Sequence, residues 1–252
     1  MGADMKKLLL SAVAILAFGS AASAADMPTK GPAPVVRPPC AAPVWQGAYI
    51  GINGGGSFWT ANRTDLDEVL VDTSTYVLKK WGGTVGGQLG YNFARCNTLW
   101  GVEVDGNWLS NKDTFQLIPN STLFNISVQS RFDALVTARL RGGIVVDDIY
   151  IYLTGGLAGG HFKTTYTEAF NIPGVITTFG QANFTDWRLG WVGGIGAEWR
   201  WTPQWSLKGE LLYVDFPDRT HNVLFAPPAT NASFVESDSA WIARIGVNYK
   251  FW

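Results

Sequence analysis

The last fourteen residues, Ser239 to Trp252 (SAWIARIGVNYKFW), leave little choice of fold. Trp241, Ala243, Ile245, Val247, Tyr249 and Phe251 fall on one face of an extended strand, and Arg244, Gly246, Asn248 and Lys250 on the other. The apolar face is too long and too aromatic for water, and a strand edge of this kind needs a partner. If the first strand of the same sheet supplies it, the sheet closes into a barrel. If the apolar faces then point outward, the solvent around the barrel is lipid.

The other end of the chain fits export. Lys6 and Lys7 precede an apolar run from Leu8 to Phe18, and Ala22 and Ala24 stand at the small-residue positions of a cleavage site, so residues 1–24 read as a secretory signal peptide. That run is too short to span a bilayer, and no later stretch offers roughly eighteen consecutive apolar residues. Residues 25–43 carry Pro28, Pro32, Pro34, Pro38, Pro39 and Pro43 and read as an extended periplasmic spacer, leaving 44–252 for the barrel. A formal net charge of -1 and the absence of a Lys/Arg run argue against a nucleic-acid partner.

Eight alternating segments follow: Gln46 to Trp59, Trp81 to Phe93, Thr98 to Leu109, Val128 to Gly143, Ile149 to Phe162, Thr185 to Trp201, Trp205 to Asp215 and Ser239 to Trp252. Their connections alternate long and short, the order expected of an all-β, eight-stranded antiparallel up-and-down transmembrane barrel with short periplasmic turns and long outer loops. Hairpin parity agrees. Phe132, Ala134, Val136, Ala138 and Leu140 are even and Ile149, Ile151, Leu153 and Leu157 odd, as a two-residue turn at Asp147 and Asp148 requires. Trp187, Leu189, Trp191, Ile195 and Trp199 and then Trp205, Leu207, Leu211 and Tyr213 are all odd, as a three-residue turn at Thr202, Pro203 and Gln204 requires. The glycines at 54, 55 and 56 leave the register of the first strand without a pattern.

The tryptophans sort by height into two aromatic girdles. Trp59, Trp81, Trp108, Trp187 and Trp241 fall at the loop ends of their strands; Trp45, Trp100, Trp199, Trp201, Trp205 and Trp252 fall at the turn ends. A soluble sandwich or lipocalin-type barrel would alternate too, but its core would not collect tryptophans at two opposite ends.

The faces opposite the apolar ones carry ions, among them Glu103 and Asp105, Asp133, and Lys250. An eight-stranded barrel is just wide enough inside for side chains to fill it, and unpaired ions there are costly. Glu103, Arg139, Arg141, Arg188, Glu198, Lys208, Glu210 and Arg244 are therefore expected to form a lumen ion network, with Glu198 opposite Lys208, Glu210 reaching Arg244, and Glu103 facing Arg139 or Arg141. The competing reading is a narrow pore for ions or small solutes gated by those pairs.

Cys40 and Cys96 both fall on the periplasmic side, where the compartment is oxidising, and are expected to form a disulfide tethering the spacer to the barrel floor. No Cys or His pair has metal-ligand spacing, and no cofactor fingerprint occurs. His161 and His221 are the only histidines. An enzyme would need one of them to converge with an acid and a rim serine, Ser110 or Ser239; the expectation is a non-enzymatic protein. The outer loops, Ala61 to Lys80, Asn111 to Ser127, Lys163 to Phe184 and Phe216 to Asp238, hold large apolar groups such as Phe115, Phe124, Phe170 and Phe225. These either dock an extracellular protein or polysaccharide partner or pack together on strands that continue above the membrane.

The signal peptide, the spacer opening AADMPTK, the first strand WQGAYIGINGGG, the segments YIYLTGGLAGG and WSLKGELLYVDF and the closing ARIGVNYKF together resemble the small outer-membrane immunogenic proteins of the porin family of alphaproteobacteria. The likeness covers nearly the whole chain. It implies an eight-stranded relative of the OmpA membrane domain and OmpX in the outer membrane of a Gram-negative bacterium; the barrel itself is expected to be a monomer. Outer-membrane lipid and lipopolysaccharide are the partners expected of the outward apolar faces, and the resemblance adds the barrel-assembly machinery, which reads the last strand. Such chains usually end on phenylalanine; here Trp252 follows Phe251, so the implied assembly signal is Tyr249, Phe251 and Trp252. Some members are described as binding haem, which either histidine would serve by analogy alone; an ordinary surface histidine is the reading preferred here.

Overall fold

A computed structural model describes residues 44–65, 75–116, 124–172, 175–225 and 230–251. The signal peptide, the spacer with Cys40, and Trp252 lie outside the described residues. The strands are β1 (Gly47–Asp65), β2 (Thr75–Arg95), β3 (Thr98–Gln116), β4 (Phe124–Val146), β5 (Ile149–Ile172), β6 (Val175–Arg200), β7 (Trp205–Phe225) and β8 (Thr230–Lys250). Each pairs antiparallel with its sequence neighbour, and β1 pairs with β8 from Tyr49↔Lys250 to Asp65↔Phe234, closing the barrel. The final strand thus finds its edge partner in the first.

Two turns close on two residues each, the second of them at Asp147 and Asp148, where hairpin parity requires it. Arg95 pairs with Thr98 across Cys96 and Asn97, and Val146 pairs with Ile149 across Asp147 and Asp148. Cys96 and Asp147 take up the reversal with positive φ, 56° and 54°. Aspartate tolerates that region through its short polar side chain; cysteine has no such compensation.

The strands are longer than the sequence segments. They run from 19 to 26 residues, against the roughly 9–11 that cross a bilayer. Much of what reads as outer loop, including 61–65, 75–80 and 111–116, continues the sheet. The reason is physical: above the membrane the outward face no longer has to be apolar, so the alternation fades while backbone pairing goes on.

Within the membrane band the outward set is apolar, with Ile52, Val85, Leu89, Leu140, Leu153, Leu157, Leu189 and Ile245 all exposed on the barrel's outer face. Trp81, Trp108, Trp187 and Trp241 stand outward at the upper level and Trp100, Trp199, Trp201 and Trp205 at the lower. Trp59 does not join them. It is 1% exposed and points into the lumen, because β1 turns its odd residues inward. The outward aromatic on that strand is Phe58, 4.9 Å from the Trp81 ring. Trp45 is likewise buried, 6.0 Å from Tyr150 at the periplasmic end.

β4 also departs from its even-numbered outward pattern. Against β5 the register shifts between Phe132 and Ala134, which marks a bulge at Asp133; against β4 it is β3 that carries an extra residue between Trp108 and Asn111. A bulge inserts one residue and inverts the parity beyond it. Val136 and Leu140 face lipid as expected, but Phe132 is fully buried in the lumen and Asp133 is turned to the outer surface.

Candidate functional site

The lumen is filled in three layers. In the lowest, Glu103 is surrounded by cations: Arg139 in direct contact, Arg141 at 3.1 Å, Lys208 at 3.0 Å and Arg244 at 3.9 Å. Asp105 binds Arg139 at 2.9 Å and Arg244 at 3.0 Å. Glu210 binds Arg244 at 2.8 Å, Arg139 at 3.3 Å and Lys208 at 3.4 Å. Glu198 meets Arg141 at 3.3 Å. Four acids thus face four cations, and the buried charge cancels. Neutral donors complete the shells: Tyr49 to Glu103 at 2.6 Å, Tyr152 to Glu210 at 2.8 Å, Thr137 to Asp105 at 2.5 Å, and Ser206 and Asn248 to Glu198 at 2.5 and 2.8 Å. Arg141 also lies over the rings of Tyr49, Tyr150 and Tyr152 at 4.9, 5.7 and 5.0 Å, so its weakly hydrated guanidinium is held by aromatic faces as well as by acids.

Local sequence makes room for this. Tyr49 lies over Gly90 and Tyr152 over Gly196, where any Cβ would collide with the phenol rings. Glycine at those two inward positions lets the tyrosines lie flat against the wall and reach the carboxylates.

The expected pairing of Glu198 with Lys208 takes a different form. The two are register partners, yet Glu198 bonds to Arg141, two strands away on β4, and Lys208 to Glu103 on the opposite wall and to Glu210 on its own strand. In so narrow a barrel a long side chain reaches the far wall, and a denser cluster of carboxylates outcompetes the single one opposite. Arg188 stands outside this group.

The apolar middle layer is built on Phe132, Phe162 and Phe216, with ring centroids 4.7, 5.0 and 5.9 Å apart, packed with Leu135, Val192, Leu212, Val214 and Ile242. Its place follows from the strands. On β8, Ile242 and Ala240 separate Arg244 from Asp238; on β7, Leu212, Val214 and Phe216 follow Glu210 on the same inward face.

The upper layer centres on Asp238, which contacts Arg188 directly, Arg63 at 3.2 Å and the Trp59 indole Nε1 at 3.1 Å. Glu236 lies 3.4 Å from Arg63 and 4.0 Å from Arg188, and Arg188 also donates to the Pro217 carbonyl at 2.7 Å. Arg63, Glu236 and Asp238 fall in segments that read as loops. Their signal was parity: 236 and 238 continue the even, inward set of β8.

On the outside, His161 Nδ1 lies 2.5 Å from Asp133 Oδ1, and Ser110 Oγ accepts from the Gly83 amide at 2.8 Å. In strand order the acid on β4 separates the serine on β3 from the histidine on β5, whereas nucleophile activation needs the histidine between them. Cys96 is disulfide-bonded.

The family model for the outer membrane protein beta-barrel domain matches residues 10–251. The 31 kDa outer-membrane immunogenic protein of Brucella melitensis is 30% identical over 98% of this chain and 100% of its own length. The 25 kDa outer-membrane immunogenic protein of Brucella canis is 24% identical over 98% of this chain and 99% of its own. Among solved structures, the outer membrane protein OprG of Pseudomonas aeruginosa is similar with a TM-score of 0.52 at 16% identity, covering 82% of this chain and 97% of that one; the likeness there is one of fold.

Proposed function

Since the chain belongs to the outer-membrane β-barrel protein family, we propose that it serves the outer membrane as a non-conducting, non-catalytic, monomeric barrel that presents its long strand extensions to the surroundings. The observation that carries this reading is the filling of the lumen by a charge-balanced network below and an aromatic layer above it. A permeating ion would have to displace buried pairs at a cost of several kcal/mol and then cross apolar side chains with nothing to replace its hydration shell. The strands extend well past the outer tryptophans, which supports a role for the exposed part in meeting extracellular protein or polysaccharide. The lipid-facing set and the apolar last strand support lipid, lipopolysaccharide and the assembly machinery as the remaining partners.

The test is single-channel recording of the refolded chain, Ala25 onward, in a planar bilayer, with Glu198→Ala and Lys208→Ala beside it. Silence is expected from all three in protein shown to be folded, because the aromatic layer stands independently of the ion network. Steady unitary steps from the unsubstituted protein would overturn the reading and make this a narrow channel.

A further inference from the structure

Three cations stand side by side on the outer surface. Lys112 on β3 is the register partner of Arg131 on β4, and Arg131 is the partner of Lys163 on β5. All three are exposed and outward. Like charges directly opposite on neighbouring strands destabilise a sheet, so folding alone gives no reason for this row. Lys163 has one acid near it, Asp133 at 3.7 Å, and that acid is shared with His161. Among the described residues, Lys112 and Arg131 have no acid partner.

The height of the row is informative. Lys163 lies two residues outward of His161, which is the register partner of Trp187, and Lys112 lies four residues outward of Trp108. Both tryptophans belong to the upper girdle. The cations therefore follow the aromatic belt immediately on its outer side, at the level of the outer-leaflet headgroups. Lys79, also exposed, is on neighbouring β2. Adjacent strands are about 4.8 Å apart, so the row spans roughly 10 Å, a span suited to one sugar-phosphate headgroup or two adjacent phosphates.

We infer that Lys112, Arg131 and Lys163 form a docking site for the phosphorylated headgroup of an outer-leaflet glycolipid. Arg131, in the middle, presents the fork that suits phosphate oxygens, and the lysines flank it as point charges. The anion removes the repulsion along the row, while its acyl chains lie on the apolar face below. This rests on the outer-membrane placement of the barrel and not on whether the lumen conducts.

The experiment uses the refolded chain in detergent micelles, titrated with bisphosphorylated lipid A and, separately, with the same lipid stripped of phosphate, binding being read by native mass spectrometry. The Lys112→Ala/Arg131→Ala variant is compared with Arg95→Ala/Arg200→Ala, which removes the same charge at the periplasmic end. Heat-modifiable gel mobility confirms folding of each. The rim variant is expected to bind the phosphorylated lipid about 30-fold more weakly, taking about a kilocalorie per cation, with the control unchanged and the stripped lipid binding weakly to all. Equal affinity in the rim variant, an equal loss in the control, or undiminished binding of the stripped lipid would each overturn the site.

Discussion

The two ionic layers of the lumen are made of the same residue types and differ in how their charges are shared. In the lower layer Glu103, Asp105 and Glu210 each bind at least two of Arg139, Arg141, Lys208 and Arg244, so these charges are shared, and Glu198 joins the mesh through Arg141. In the upper layer two arginines and a tryptophan converge on a single carboxylate, Asp238, with Glu236 at the longer distances. The lower layer is a mesh and the upper one a knot. Their positions account for this. The lower layer lies between the aromatic layer and the periplasmic end marked by Trp45 and Tyr150, and the side chains of Glu103, Asp105, Arg139 and Arg141 are fully buried there. The upper layer lies toward the outer mouth, where fewer partners suffice.

The largest expected effect comes from breaking the mesh. Glu103→Ala leaves four buried cations facing three acids and removes the acceptor of the Tyr49 hydroxyl; a loss of about 4 kcal/mol is expected for an uncompensated buried charge. It would be read as a lowered urea midpoint for the protein refolded in lipid vesicles. Asp238→Ala unties the knot, but nearer water, and about 3 kcal/mol is expected in the same measurement. If Asp238→Ala proves the costlier, the upper layer is the tighter lock and the comparison is reversed.

Much of this was legible in the chain. The inward ions of β3, β4, β7 and β8 could be read because period-two alternation is strict wherever the other face must meet lipid. The closure of β8 on β1 followed from an apolar edge that needed a partner. What escaped the alternation did so for nameable reasons. Glycines at 54, 55 and 56 hid the register of β1, and with it the direction of Trp59. The bulge at Asp133 inverted Phe132, and a single inserted residue leaves no mark in hydropathy. The upper layer was missed because Arg63, Glu236 and Asp238 stand where the outward face is no longer apolar. The partner of Lys208 was missed because register fixes neighbours along the wall and says nothing about reach across a lumen.

The smallest effect tests that register directly. Trp59→Phe keeps an aromatic ring in the apolar layer but deletes the indole donor to Asp238, 3.1 Å away; a loss of about 1–2 kcal/mol is expected for a hydrogen bond to a charged group. Trp81→Phe, on the lipid face and 74% exposed, keeps an amphipathic girdle position aromatic and is expected to change the midpoint by less than about 0.5 kcal/mol. The pair also separates by fluorescence. Lipid-phase quenchers attached to acyl chains should reach Trp81 and spare Trp59, so Trp81→Phe removes quenchable emission and Trp59→Phe removes protected emission. Were Trp59 a girdle residue, as its height in the sequence suggests, the two substitutions would be alike in both measurements. Its inward direction would then be lost, and Asp238 would lose the one neutral donor that ties the knot to β1.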